Sequence, residues 1–165
     1  MNRNRGFTLV ELMVTLVVAA ILLALAIPSF SAMLRKNRAA TDISALTTTI
    51  AYARSEAVAR NTEICVAFPT GGGWKDGWEV RIENGSCGGE TLRVFAPISS
   101  TATLSVTRSS GAVSKFGFTS AGFRSGSPEF VITYFAAATC DPDTGRVLTI
   151  NATGRVTIAA CVAGT

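Results

Sequence analysis

The 165-residue chain contains no histidine. That removes the usual base from any Ser-His or Cys-His arrangement and the imidazole from a zinc site. Its four cysteines, Cys65, Cys87, Cys140 and Cys161, include no C-x-x-C pair. No phosphate-cradling loop is present, because Gly71-Gly72-Gly73 is not followed by Gly-Lys-Ser/Thr. Acidic residues are sparse: none lies between Glu90 and Glu129, and none forms a paired arrangement suited to acid–base work. Asp141-Pro142-Asp143-Thr144-Gly145 gathers oxygen ligands at short spacing, but it lacks the graded series of a calcium loop and reads as a turn. These absences argue against an enzyme, and no metal, cofactor or catalytic residue is expected. The net charge of +4 falls to +2 without Arg3 and Arg5, too little to imply a nucleic-acid binder by itself.

What is present is concentrated in the first thirty residues. Phe7 to Ile27 is an apolar run whose only charge is Glu11 and whose other polar side chains are Thr8 and Thr15. As a helix rising about 1.5 Å per residue, it just crosses a ~30 Å hydrocarbon core. Arg3 and Arg5 precede it, Arg35, Lys36 and Arg38 follow, and Pro28 closes it. An ordinary secretory signal carries its small-residue cleavage site after the apolar region. Here the well-placed small residue is Gly6, in front of it, and cleavage there would keep the helix and start the chain at Phe7. A carboxylate in a bilayer costs about 2.5–3.5 kcal/mol on insertion scales, so Glu11 needs a partner. The free amine at Phe7 of a neighbouring copy would serve.

Gly6-Phe7-Thr8-Leu9-Val10-Glu11 resembles the class III signal of type IV pilins and type II secretion pseudopilins. The resemblance implies that a prepilin peptidase cuts after Gly6 and N-methylates Phe7. It also implies that Glu11 helps to register each subunit in a helical filament. The chain then divides into a leader, 1–6, a hydrophobic transmembrane and polymerisation helix, 7–34, and a periplasmic domain, 35–165.

That domain begins on the same helix. Ala39, Ile43, Leu46, Ile50, Ala53 and Ala57 make one apolar stripe, with Arg38, Asp42, Thr48, Arg54 and Ser55 on the face suited to water. One long helix from Phe7 to about Arg60 is predicted, bent near Pro28. Beyond Asn61 the period changes to two and glycines become frequent. Strands are predicted over 63–68, 77–83, 92–95, 104–106, 115–118, 130–135, 146–150 and 155–158, and a mobile connection around Ser99 to Ala112. The fold class is therefore α+β, with antiparallel sheet packed against the helix. Two disulfides in an oxidising compartment fit the cysteines better than metal. Three connectivities are open, and Cys65–Cys87 with Cys140–Cys161, each closing about twenty residues, is the favoured one. Arg93, Arg108, Lys115 and Arg124 read as scattered solvated charges, with a local basic surface as the alternative. Trp78 reads as core; Trp74, beside three glycines, is open. Arg54 and Glu56 read as ties from the helix to a sheet edge or loop.

Tyr52-Ala53-Arg54-Ser55-Glu56-Ala57, Trp74-x-x-Gly77-Trp78 and Gly154-Arg155-Val156 resemble the FimT/FimU and GspH group of minor pilins and pseudopilins, over nearly the whole chain. Ile27-Pro28 and the four cysteines are closer to the pilus members. The resemblance implies a minor pilin that primes pilus assembly and sits at the pilus tip. Its partners would be prepilin peptidase, other minor and major pilins and the inner-membrane assembly platform. It would be single-pass in the inner membrane before entering a pilus or pseudopilus. A type II secretion pseudopilin and a DNA-binding minor pilin are the alternatives. DNA-binding relatives resemble one another in a Gly-Arg-x-Arg motif; this chain has Gly154-Arg155-Val156-Thr157, so weak contact through Arg155, with Arg146, is what the resemblance leaves.

Overall fold

The computed structural model describes residues 8–109, 111–126 and 129–162, with the side chains of 25–29 left out. It separates into two compact units, Met1–Arg35 and Lys36–Thr165. One helix, α1, covers Leu9–Ala59. The helix continues through Pro28, where the bend is expected, and the side chain of Pro28 lies outside the described residues.

In the second unit, Ala39, Leu46, Ile50, Ala53 and Ala57 are buried and Ile43 packs against the core, as the four-and-three spacing requires. Nine strands follow among the described residues: β1 Ile64–Ala67, β2 Trp78–Ile82, β3 Thr91–Phe95, β4 Thr103–Arg108, β5 Gly111–Ala112, β6 Lys115–Phe118, β7 Phe130–Phe135, β8 Arg146–Ile150 and β9 Val156–Ala160. They form two antiparallel sheets, in the orders β3-β2-β1-β6 and β5-β4-β7-β8-β9. The strand predicted at 104–106 lies inside the stretch expected to be mobile around 99–112, and the topology extends it to Thr103–Arg108 and adds β5, so much of that stretch is paired. Leu104 and Val106 alternate inward on β4 while the serine and threonines between them turn out, so a segment of small polar residues is an inner strand between β5 and β7.

Two polar residues beside the helix stripe join α1 to both sheets. Trp78 of β2 donates its indole N–H to Thr49 Oγ1 at 2.8 Å. Tyr134 of β7 donates its hydroxyl to Asp42 Oδ2 at 2.7 Å, and burial together with that carboxylate pushes the phenol well up. Asp42, expected to face water, is half-buried for this reason.

The disulfides are Cys65–Cys87 and Cys140–Cys161. Beside the first, Glu83 accepts from the Cys87 N–H and the Lys115 ammonium, both at 2.8 Å, so the loop after β2 is tied to β6. Burial opposes ionisation of Glu83, but Lys115 and the backbone N–H groups of Cys87 and Gly85 outweigh it and hold the carboxyl below its usual range. A depressed folded-state pKa gives stability that is present above the unfolded value, ~4.3, and lost as pH falls through the folded one. Glu83→Gln is expected to lower stability by about 1–2 kcal/mol at pH 7. Its gap to wild type should be smaller at about pH 3, below the unfolded value. Urea unfolding at both pH values measures this; a gap of equal size at both would contradict the assignment.

The remaining basic residues of the acid-free stretch are not simply solvated. Arg93 lies over the rings of Tyr52 and Phe95, and Arg108 and Arg124 both lie over Phe130, with Arg124 buried.

Candidate assembly site

Gly6 and Phe7 lie outside the described residues, which begin at Thr8. Thr8 caps α1: its hydroxyl accepts from the Glu11 N–H at 3.2 Å, and the Glu11 carboxylate reaches back to the Thr8 N–H at 3.5 Å. This reciprocal pair is a capping box, and it places the carboxylate on the positive end of its own helix. The spacing Thr-x-x-Glu at 8–11 is its sequence signal, which a reading of Glu11 as an intermolecular partner passes over. Thr15, the other polar side chain of the run, returns its hydroxyl to the Leu12 carbonyl at 2.8 Å.

Around this cap the helix is apolar on all sides. Leu9 is 74 % exposed, and Leu12, Val14, Leu16, Val17 and Leu22 are also exposed. Such a surface is suited to lipid or to other helices rather than to one core. Among the described residues no helix is long and apolar enough to cross a membrane. The described side chains of the run, 9–24, end short of the ~20 apolar residues that a span requires. The span expected over the first half of the helix is thus not met within them.

Three sequence motifs converge on packing. Arg54, in the Ala-Arg-Ser-Glu-Ala segment of α1, donates to the Gly154 carbonyl at 3.4 Å, so the helix is tied to the turn before β9. Glu56 instead pairs along the helix with Arg60 at 2.5 Å. Gly154 has φ +75°, and a Cβ there would meet the Gly122 carbonyl oxygen at 2.8 Å, so two turns and the Arg54 side chain share a space that only glycine leaves open. In Trp74-x-x-Gly77-Trp78 both rings are buried. Trp74 donates to the Val113 carbonyl at 2.8 Å and stacks on Phe116, and Trp78 stacks on Phe95. Gly77 has φ +100°, and a Cβ on it would come 2.6 Å from the Phe95 carbonyl oxygen. Neither tryptophan is free to stack on a ligand.

Arg155 and Arg146 are not brought together. Arg155 precedes β9, whereas Arg146 is opposite Ala160 at the other end of the β8–β9 pair. Five residues of strand, roughly 17 Å, separate the two levels. Arg146 is also committed to its own turn, donating to the carbonyls of Pro142 at 2.8 Å and Gly145 at 2.7 Å. In that turn Asp141 accepts from the Asp143 N–H and the Thr144 hydroxyl, and Asp143 pairs with Lys36 at 2.8 Å. Cys65, Cys87 and Glu83 meet within ligand distance of one another, but the two sulfurs are bonded together.

Two family profiles match the chain: the prokaryotic N-terminal methylation motif over residues 1–27 and the type II transport protein GspH over residues 42–154. Two crystal structures of the type IV minor pilin FimU of Pseudomonas aeruginosa are similar. One has 26% identity over 74% of this chain and 88% of that one, with a TM-score of 0.61. The other has 28% identity over 70% and 87%, with a TM-score of 0.54. Comparison with curated proteins returns no match. The methylation motif, the GspH region and the FimU-like α+β fold agree, and the chain belongs to the GspH family, in the FimT/FimU–GspH group of type IV minor pilins and pseudopilins.

Proposed function

We propose that this protein is a minor type IV pilin that primes pilus assembly and sits at the pilus tip. The observation that carries the reading is the methylation motif joined to a GspH-type domain similar to a minor pilin. In this reading residues 1–6 are the leader and 7–34 anchor the chain in the inner membrane. Residues 35–165 form the periplasmic domain. Prepilin peptidase cuts after Gly6 and methylates Phe7, and the helix then leaves the bilayer for a filament built with other pilins on the inner-membrane platform. The work is done by surfaces: the all-round apolar helix packs in the filament, and the β domain meets its neighbours.

Deleting the gene tests this against the second reading, a type II secretion pseudopilin, which the description of the matched family favours. Loss of surface pili with protein secretion intact is expected. Lost secretion with normal piliation would replace the first reading by the second.

Glu11 has a defined task in the proposal. As a monomer it completes its own helix cap; in a filament it also meets the Phe7 amine of a neighbour. Glu11→Ala is expected to insert and be cleaved normally, because losing the cap weakens the first turn by only about 1 kcal/mol. Its share in sheared filaments, measured by quantitative immunoblot against wild type, should fall at least severalfold. Equal incorporation would contradict the role.

A further inference from the structure

Strand β9 ends its sheet and has no strand on its far side among the described residues. Beside β8, Asn151 N–H donates to the Arg155 carbonyl at 3.1 Å and Cys161 N–H to the Gly145 carbonyl at 3.3 Å. In an antiparallel pair the bonded residues alternate, so Thr157 and Ala159 face β8, while Val156, Ile158 and Ala160 turn their N–H and C=O groups to the open edge. Between this edge and α1 runs a groove of about 740 Å³, floored by Ile50, Ala51 and Val58 of the helix and by Val156 and Ile158 of the strand. Val58 is 53 % exposed and Ile158 50 %. Arg54 and Arg155 stand at one end, and no carboxylate is in its lining.

An open ladder with an apolar floor fits an added strand, because main-chain bonds supply affinity and alternate side chains fill the groove. The charge fixes the rest of the chemistry, since the two guanidinium groups at the Gly154 end call for carboxylates on the incoming segment. We infer that β9 and this groove receive an extended segment of a neighbouring pilin-like subunit, alternately apolar and acidic at the end that meets Arg54 and Arg155. This rests on the filament reading above for the source of the segment, while the recognition chemistry stands on the groove.

The test uses the purified full chain in detergent micelles and a labelled ten-residue peptide of alternating valine and threonine with two aspartates at one end. A second peptide carries lysines in place of the aspartates, and a twenty-base-pair duplex serves as competitor. Fluorescence anisotropy should show the acidic peptide binding at least tenfold more tightly than the basic one. Ile158→Pro removes an N–H that takes no part in the protein's own ladder, and proline is tolerated on such an edge. It should weaken binding at least tenfold with the circular dichroism spectrum unchanged. Arg155→Glu should erase the preference between the peptides, and it decides the matter if the proline variant does not fold. The proposal is overturned if wild type shows no saturable binding, if Arg155→Glu keeps the preference, or if a folded Ile158→Pro binds like wild type. It is equally overturned if the duplex binds more tightly than the acidic peptide and displaces it through Arg155, which would make the edge a DNA contact. A chain found uncut at Gly6 would sink the filament reading and leave these titrations standing, so the two fail separately.

Discussion

Gly6→Val is expected to abolish processing and leave the full-length precursor in the membrane. In the wild type, mass spectrometry of the N-terminus should find the chain starting at Phe7 with one N-methyl group. The effect is large because two things fail together. Without the cut no amine exists at Phe7, so Glu11 of a neighbour has no cation to meet. The leader also keeps Arg3 and Arg5 attached to the helix. Drawing those charges through an apolar core on the way into a filament carries a penalty of about 2.5–3.5 kcal/mol each on insertion scales. Pili and incorporation should therefore be lost, not merely reduced. A wild-type chain beginning at Met1, one cut after Ala26, or normal cleavage of the valine variant would each refute the processing site.

Trp78→Ala should produce the largest loss of stability. The ring is 1 % exposed, stacks on Phe95 at 5.8 Å between centroids and bonds Thr49 at 2.8 Å. Truncating a buried tryptophan costs about 3–5 kcal/mol, a large part of the ~5–15 kcal/mol that holds a domain folded. Thr49→Val makes a sharper comparison. It keeps the side chain's shape but leaves the indole N–H buried without its acceptor, which should cost about 1–3 kcal/mol. Urea unfolding of the two variants should rank them in that order. A loss below about 1 kcal/mol for Trp78→Ala would mean that the ring does not hold the helix to its sheet.

Much of the domain was legible because the helix period and the strand period are both clean. The stripe from Ala39 to Ala57 is buried where expected, and eight strands lie near their predicted places. What escaped were residues whose role depends on a distant partner. Asp42 is polar and borders the stripe, so local pattern assigns it to water, and Thr49 carries no local signal of its own; only the arrival of Tyr134 and Trp78 takes them inside. The stretch around 99–112 carries two conflicting signals, a strand at 104–106 and a composition that suggests a mobile connection. Its serines and threonines look like a loop, but they alternate with Leu104 and Val106, and period outweighs polarity when one sheet face is buried. At the assembly end, the resemblance points to Glu11 without its cap, although the Thr-x-x-Glu spacing at 8–11 carries that signal locally.

The second disulfide has a mechanical consequence. Cys140 and Cys161 enclose both β8 and β9, and Cys161 follows directly on the open edge strand. A tug transmitted through β9 would otherwise unzip its ladder from β8 one bond at a time. With the bridge closed, tension at the C-terminal end of β9 passes through the sulfur link to Cys140, beyond the end of β7, and bypasses that ladder. The ~70 Å of slack in the enclosed loop cannot be drawn out. A subunit gripped by this edge can thus bear load while the strand keeps its place.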